Sequence, residues 1–439
     1  MATTKLDQFP VSETVDCPKC GSPEKLFDPE GSEYFVCSKC RSLARFIATD
    51  HAIAKTLVNP LKSEPVIPLG SVGDLDGYSF KVTGYLEKFE QANRQYGWRE
   101  YLLYNYEKGY ATLVEYDGHW NLVAGAAFHP DLAKLPNNDW TFIEYQNISY
   151  DLFNKYTPKV NGFIGEFDWN PLEDKIKSSE FIAPPFMIIC EKDGNRGLKV
   201  EYYHGRYLQP DEIAVAFNLD AEGLPERLGI GANQFSTAYS RWDNVFTFSG
   251  ILLVLILVAQ LLFVVARPET VLMDQSFTIN RDSIDYTDNF SPFITPSFKI
   301  KGHSSAIEFT IKSDVDNNWL EANIVLVNER TNQTWEVTEA VEYYHGVEGG
   351  ETWSEGSRTT TVQLSAIPEG QYHLNVYPAS GDPFRDSVNI RVTDNIMSWT
   401  NLFLTCFVLM IYPAHCWYSM RAFEKKRWLN SDYSPYEAS

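Results

Sequence analysis

Along most of this chain, apolar and polar residues alternate with a period of two, which predicts β-strands. The clearest examples are separated by the turn signals Asp76-Gly77, Lys108-Gly109 and Asp117-Gly118. A second group of short apolar stretches lies between residues 141 and 203, and a closing helix is predicted from Pro210 to Phe217. We therefore expect a mainly β domain over residues 67–235, curled into a small roll or barrel. Its first group of strands is predicted at Tyr78–Thr83, Trp98–Asn105, Tyr110–Tyr116 and Trp120–Ala124.

Two long apolar runs interrupt this pattern, at residues 245–266 and 396–418. About 20 apolar residues at ~1.5 Å rise match the ~30 Å hydrocarbon core of a bilayer, so each run predicts a transmembrane helix. The first run has no charged residue, whereas Asn401, Pro413 and His415 interrupt the second. The alternative is a buried core helix, although core helices of soluble proteins seldom stay apolar for so long.

Basic residues near the ends of the runs predict the orientation. Arg421, Lys425, Lys426 and Arg427 crowd the tail at residues 419–439, whereas the two flanks of the intervening segment hold only Arg267, Arg281, Arg385 and Arg391. By the positive-inside rule, we expect a two-pass protein of the plasma (inner) membrane with both termini in the cytoplasm. The start of the sequence lacks the basic and apolar regions of a signal peptide, so the first run would act as its own insertion signal.

Residues 267–395, between the runs, contain short alternating stretches and turn signals at the spacing of an extracytoplasmic antiparallel β-sandwich. The segment has no cysteine, so disulfides do not stabilise it, which suits a bacterial periplasm at least as well as a eukaryotic lumen. In the predicted loop at residues 347–356, Glu348, Glu351 and Glu355 are candidates for a cation site. They lack the regular spacing of oxygen ligands, which favours an ordinary solvated loop.

The formal net charge of −21 is shared by both soluble parts of the chain. Such surfaces repel phosphate backbones, so we expect no nucleic-acid partner. Cationic partners, including a small cationic ligand, are the natural complement. Solubility alone is the alternative explanation of the acidic balance.

Four cysteines form the strongest chemical motif. Cys17 and Cys20 make one C-x-x-C pair, Cys37 and Cys40 make another, and sixteen residues separate the pairs. Four thiolates complete the tetrahedral shell of zinc and leave no position for water, so we predict a structural zinc ribbon over residues 1–45, with redox pairing or chance spacing as alternatives. Apolar spacing from Arg41 to Val58 predicts a short helix, within a helix-and-linker segment at residues 46–66.

Catalytic signals are sparse. The sequence has no H-E-x-x-H, no G-x-S-x-G, no phosphate loop and no dinucleotide fingerprint. Glu166 and Asp168 lie two apart on a predicted strand and would face the same way, as a hydrolase requires, but Phe167 and Trp169 beside them also explain the segment as packing. The pentapeptide Glu-Tyr-Tyr-His-Gly occurs twice, and because its flanks differ we interpret the repeat as coincidence.

The middle of the chain contains five short motifs rich in aromatic residues and glycine: Gly84-Tyr85, Trp98–Leu103, Trp120–Leu122, Gly162–Trp169 and Glu201–Tyr207. Together these motifs resemble an uncharacterised bacterial family, DUF4178. The resemblance covers about residues 67–217 and implies a domain that is often membrane-anchored, with an N-terminal zinc pair as a frequent companion. It also implies genes encoded beside small membrane proteins and polyamine-synthase-like enzymes, and it transfers no catalytic residue.

These observations favour a non-enzymatic, membrane-anchored scaffold or signal-coupling protein. An outer sandwich would sense or bind something, and an inner zinc-ribbon and β-roll module would recruit membrane or cytoplasmic protein partners. The first alternative is a ligand-binding subunit of a transport or envelope-maintenance complex, with polyamines as candidate ligands, because acidic and aromatic side chains attract organic cations. The second alternative is a hydrolase that uses Glu166 and Asp168.

Overall fold

The computed structural model describes residues 9–47, 50–55, 57–127, 141–173, 176–193, 200–279, 290–381, 387–397 and 399–436. The chain divides into two compact units, Met1–Asp243 with Ala414–Ser439, and Asn244–Pro413. Both are mainly β, as the alternating pattern predicts. Three α-helices accompany the strands in the described residues: α1 (Pro210–Phe217), α2 (Thr237–Ala266) and α3 (Trp399–Arg427).

The first unit contains sixteen strands among the described residues. They are β1 (Glu13–Asp16), β2 (Pro23–Leu26), β3 (Tyr34–Val36), β4 (Leu43–Ile47), β5 (Asp50–Lys55), β6 (Val72–Leu75), β7 (Tyr78–Glu90), β8 (Gly97–Asn105), β9 (Gly109–Tyr116), β10 (His119–Gly125), β11 (Phe142–Tyr145), β12 (Ile148–Tyr156), β13 (Pro158–Phe167), β14 (Ile176–Ala183), β15 (Phe186–Asp193) and β16 (Val200–Leu208).

Fourteen of these strands form one antiparallel sheet that curves into a half-barrel. Its order is β11-β12-β14-β15-β16-β10-β9-β8-β7-β13-β3-β4-β5, and β6 pairs with β7 at the side. Helix α1 has the bounds that the sequence predicts, and it buries Ile213 and Phe217 against one face of β7–β10. Because side chains alternate along a strand, the opposite face of these strands remains available to line a cavity.

The predicted helix from Arg41 to Val58 is wrong. Residues 43–47 and 50–55 form the antiparallel strands β4 and β5, with Arg45 opposite Ala52. Strand β4 pairs with β3 and thereby continues the large sheet. Local apolar spacing suits a helix here, but backbone pairing with a neighbouring strand outweighs so weak a local preference.

The ribbon and the following domain share this sheet. Strand β3 pairs with β13, placing Phe35 opposite Glu166, while β1 and β2 form a separate two-stranded sheet. The residues assigned to a ribbon at 1–45 and to a β domain at 67–235 therefore meet through main-chain hydrogen bonds.

The second unit has eight described strands in a single antiparallel sheet of order β17-β24-β19-β23-β20-β21-β22, with β18 paired to β23. They are β17 (Thr270–Thr278), β18 (Phe293–Ile294), β19 (Phe298–Lys312), β20 (Asn318–Asn328), β21 (Thr334–Glu348), β22 (Glu351–Ser357), β23 (Thr359–Ser380) and β24 (Ser387–Asp394).

The predicted sandwich strands are thus hydrogen-bonded into one continuous sheet. Strand β23 is 22 residues long, so its first part pairs with β19 and its last part with β20. The sheet buries a single apolar cluster that includes Phe309, Leu326 and Leu374. The predicted loop at residues 347–356 is instead a hairpin between β21 and β22, because Gly349 and Gly350 both adopt the positive φ that a two-residue turn requires.

Helices α2 and α3 are long and apolar enough to cross a membrane, with mean hydropathy of 2.8 and 1.4 over their most apolar 18 residues. Of the residues in these stretches, 0% in α2 and 11% in α3 are buried. A core helix of a soluble protein would be mostly buried, so this exposure argues against the core-helix alternative. Helix α2 begins before its predicted span and α3 ends beyond its own span. Pro413 lies inside α3.

Candidate metal centre and binding cavity

The four cysteines of the ribbon come together in the structure. Their ligand atoms all lie within 4.8 Å of one another. Sγ of Cys17 is 3.7 Å from Sγ of Cys40, and Sγ of Cys20 is 3.6 Å from Sγ of Cys37. Zinc–sulfur bonds of ~2.3 Å give a tetrahedron with edges of about 3.8 Å, so these separations fit a four-thiolate metal site and are far too long for disulfides.

Two similar turns position the thiols. In the first, the N–H of Gly21 donates to the carbonyl of Cys17 at 2.8 Å, and in the second, the N–H of Arg41 donates to that of Cys37 at 2.9 Å. Gly21 and Arg41 both have positive φ, which brings the chain back after each pair. Hairpin β1–β2 carries the first turn, and β3–β4 carries the second. Within the described part of the chain, these cysteines are the only metal-ligating cluster.

Glu166 joins the ribbon to the half-barrel. Its carboxylate Oε1 accepts hydrogen bonds from the N–H groups of Phe27 (2.7 Å) and Asp28 (2.9 Å), and the side chain is 1% exposed. The other oxygen, Oε2, has no hydrogen-bond partner. Burial raises the pKa of Glu166 to about 7, despite the two backbone donors, which favour the charged form.

The two acids of the proposed pair have different surroundings in the structure. Glu166 is buried and its carboxylate binds the main chain of the ribbon, whereas Asp168 lies beyond the end of β13 and is exposed. Phe167 packs between Phe163 and Trp169, with ring centroids 5.4 and 5.5 Å away. Aromatic side chains thus pack around this segment, as expected if its residues have a structural role.

A cavity of ≈180 Å³ lies against the half-barrel sheet. Its lining residues recur every second position along the strands, which places them on one face of the sheet. Residues on the opposite face of the same strands, such as Tyr101 and Leu113, belong to the core beneath α1. Each of three neighbouring strands contributes a pair to the lining, Lys88 and Glu90, Trp98 and Glu100, and Val114 and Tyr116.

The charged groups of the cavity are mainly carboxylates. Glu100 binds Lys88 Nζ at 2.8 Å and accepts the indole N–H of Trp98 at 2.7 Å. On the far side, Glu180 accepts the hydroxyl of Tyr156 at 2.6 Å. Burial raises the pKa of Glu180, and the nearby charge of Glu90 raises it further.

A segment at residues 228–234, here called the closing segment, completes the cavity wall. Its Leu228 carbonyl lies 3.1 Å from Nε2 of the buried His119, whose Nδ1 lies 2.9 Å from the hydroxyl of Tyr207. A carbonyl can only accept, so Nε2 carries the proton and Nδ1 accepts from the tyrosine. Burial lowers the pKa of His119, consistent with this neutral form.

Arg427, the last residue of α3, holds the closing segment. Its fully buried guanidinium donates to the carbonyls of Gly231 (3.2 Å), Ala232 (2.8 Å) and Gln234 (2.7 Å), and it forms an ion pair with Glu424. The next residue, Trp428, packs on Phe153 with ring centroids 5.3 Å apart. The C-terminal end of α3 is therefore docked on the half-barrel, directly beside the cavity.

Sequence reasoning finds the cysteines but misses the cavity and Arg427. The cavity residues come from eight strands and two distant segments, so no local spacing connects them. The basic cluster at residues 421–427 was interpreted only as an orientation signal. The buried role of its last arginine has no sequence signature beyond its charge.

Residues 68–210 match the family model described as a domain of unknown function (DUF4178). The resemblance drawn from the aromatic and glycine motifs is thereby confirmed. No curated protein gives a significant match to the chain.

Among solved structures, the chain is 11% identical to the crystal structure of the infectious bursal disease virus VP2 subviral particle, covering 84% of this chain and 66% of that chain at a TM-score of 0.18. The structure of the Gx strain of the same virus is also 11% identical, with coverage of 88% and 70% and a TM-score of 0.18. These TM-scores are too low to indicate a shared fold.

Proposed function

We propose that this chain is a membrane-anchored, two-span protein without catalytic activity of its own, which couples an outer β domain to an inner module made of the ribbon and the DUF4178 domain. Membrane or cytoplasmic proteins would be the partners of the inner module. The observation that carries this proposal is the docking of Arg427 on the closing segment. It supports a direct mechanical link between a long apolar helix and the half-barrel.

The link involves both apolar helices. Helix α2 begins at Thr237, three residues after Gln234, and α3 ends at Arg427, which binds the carbonyl of Gln234. The thiol of Cys416 in α3 also lies 3.7 Å from the carbonyl of Ala238 in α2. When both helices cross a bilayer, these ends lie at the same face. By the positive-inside rule, the basic tail favours the cytoplasm for that face, and the sheet of the second unit would then lie outside.

Zinc is the metal that we assign to the cysteine cluster, in a structural role. Four thiolates suit zinc, and they would fill its tetrahedral shell without leaving a position for substrate or water. Apart from residues such as Val36 and Leu43, which join the core of the half-barrel, the hairpins that carry the cysteines bury only a small apolar cluster of their own, including Val15, Leu26 and Phe35. A module of that size gains much of its stability from metal binding.

Insertion of a reporter tests the topology without breaking a strand. The turn at Gly349–Gly350 is an exposed connection between β21 and β22, so alkaline phosphatase inserted there should be active in cells. The same enzyme fused after Ser439 should be inactive, and a cytoplasmic reporter such as green fluorescent protein should show the opposite pattern. Activity of the C-terminal phosphatase fusion would overturn the proposed orientation.

Coupling is tested by separating the two compartments. The chain is divided between β17 and β18, the first two strands of the second unit. The two parts are expressed together, and each part carries one apolar helix. We expect partners that copurify with the intact chain to be lost or strongly reduced. Full recovery of the same partners, and of the cellular phenotype, by the divided chain would contradict coupling. Turnover of any substrate by the purified first unit would contradict the non-enzymatic assignment.

A further inference from the structure

We propose that the cavity of the half-barrel binds a small organic cation, specifically a primary ammonium compound. This inference goes beyond the proposed function, because the cavity lies wholly within the first unit and its chemistry requires no membrane. Its volume of ≈180 Å³ sets the size of the ligand. Since an engineered cavity of about 150 Å³ holds benzene, a compound of about six to ten non-hydrogen atoms fits.

The charge of the cavity lining determines the sign of the charge that a ligand should carry. Four carboxylates face the cavity, those of Glu90, Glu100, Glu180 and Glu191, against the single ammonium of Lys88. The Lys88 ammonium is paired with Glu100, so the remaining acids give the cavity a net negative charge. An anionic ligand would meet repulsion in a region of low dielectric constant, whereas an ammonium group gains attraction there.

Apolar and aromatic groups favour an organic cation over a bare metal ion. Val114, Val123 and Ile189 line much of the cavity. Trp98 and Tyr156 also line it and meet edge to face, with centroids 5.4 Å apart, which leaves ring surface for a cation and its carbon skeleton. Within the described residues, the carboxylates of the cavity do not form a metal-ligating cluster.

An unpartnered hydrogen-bond acceptor in the cavity favours an ammonium group that carries N–H donors. The side-chain carbonyl of Asn121, a lining residue on β10, has no hydrogen-bond partner, although it is shielded from solvent. Buried acceptors without partners are rare, because an acceptor removed from water loses its hydrogen bonds to the solvent. A primary ammonium carries three N–H donors, enough for this carbonyl and neighbouring carboxylates, whereas a quaternary ammonium carries none.

A ligand in this position would contact the closing segment as well as the sheet. Leu228 and Ile230 line the cavity from the closing segment, and Asn430 lines it from the residues that follow α3. The same ligand would therefore touch the chain just before α2 and just after α3.

Three probes of similar shape and different charge test the inference on the full chain in detergent micelles. Benzylamine is the cation, benzyl alcohol the neutral analogue and benzoate the anion, and binding is measured by titration calorimetry near neutral pH. We expect saturable binding of benzylamine, at least tenfold weaker binding of benzyl alcohol and no binding of benzoate. Equal affinities for the amine and the alcohol, preference for benzoate, or no saturable binding of benzylamine would each overturn it.

A conservative variant locates the site. Glu180→Gln keeps the acceptor for the Tyr156 hydroxyl and removes one negative charge from the cavity, so the affinity for benzylamine should fall about tenfold while that for benzyl alcohol is unchanged. Glu222→Gln, at an exposed position outside the cavity, should change neither affinity. An unchanged amine affinity in E180Q would exclude this cavity as the site. The three probes on the unaltered chain decide the question even where E180Q does not fold, and neither result depends on the reporter fusions.

Discussion

The carboxylate of Glu166 lies 2.7 Å from the N–H of Phe27, across a sequence separation of 139 residues. This hydrogen bond joins the half-barrel to the four-cysteine ribbon in the interior of the first unit. Because burial raises the pKa of Glu166 to about 7, its protonation is linked to the stability of this junction.

The first prediction concerns pH. With a raised pKa, the folded state binds a proton more tightly than the unfolded state, so stability is highest at low pH and decreases as the pH rises from about 4.5 to 7. Glu166→Gln removes this dependence while keeping an acceptor for both N–H groups. Its stabilising effect should be small near pH 5 and reach the order of 3 kcal/mol at about pH 8.

Hydrogen exchange of the peptide that contains residues 27–33 measures this local stability. It is recorded between about pH 5.5 and 8 and corrected for the intrinsic exchange rate. Glu33→Gln is the control, because Glu33 lies on the same module with a side chain that is 55% exposed. Parallel pH profiles for the parent chain and E166Q would rule out the linkage.

The second prediction concerns the metal. Cys17→Ser removes one of four clustered ligands, so the chain should lose most of its bound zinc and its ribbon should become accessible to protease. The half-barrel should remain folded, since its own clusters around Tyr101 and Ile188 do not include the cysteine ligands.

Metal analysis of purified protein should give about one zinc per parent chain and much less in C17S. Cys190→Ser is the control, because Cys190 is buried in the half-barrel, away from the cluster. Retention of full zinc by C17S, or a parent chain without zinc, would count against the assignment.

The third prediction concerns the docked end of α3. Arg427→Met removes the donors to three carbonyls and leaves Glu424 without its buried cation, so the docking should weaken by about 3 kcal/mol. Hydrogen exchange in residues 228–236 should then accelerate by about a hundredfold, as that energy implies.

Arg421→Met is the matched control. Arg421 lies one and a half turns earlier on α3 with its guanidinium over the ring of Trp417, 5.2 Å from the centroid, and no carbonyl of the closing segment depends on it. The same acceleration in R421M, or none in R427M, would show that the buried arginine does not hold the closing segment.

The fourth prediction concerns Gly231, a glycine of the closing segment. A Cβ at Gly231 would lie 2.9 Å from the ring atoms Cγ and Nδ1 of His119, whose own position is set by two hydrogen bonds. Gly231→Ala should therefore destabilise the first unit by about 1–3 kcal/mol. Gly223→Ala, with no atom within 4 Å of the added carbon, should have little effect on the thermal melt. Equal melting temperatures for the two variants would refute the close packing.

Local sequence determined those features that depend on neighbouring residues. The C-x-x-C pairs predicted the metal cluster, because two residues between the cysteines suffice to place two thiols at one turn. The length of the two apolar runs predicted helices α2 and α3, and a proline followed by apolar spacing predicted α1 between Pro210 and Phe217. The DUF4178 motifs were also recognisable, since each is a short contiguous pattern.

Tertiary structure decided the features that join distant residues. The stretch from Arg41 to Val58 could form a helix by its own pattern, but the edge of β3 offers backbone hydrogen bonds that turn it into strands. The roles of Glu166 and Arg427 depend on main-chain groups that are far away in sequence and that the folded chain places beside them. Such pairing and burial are set by the whole sheet, so a side chain's neighbours in sequence do not specify whether it becomes a catalytic acid, a surface charge or a buried support.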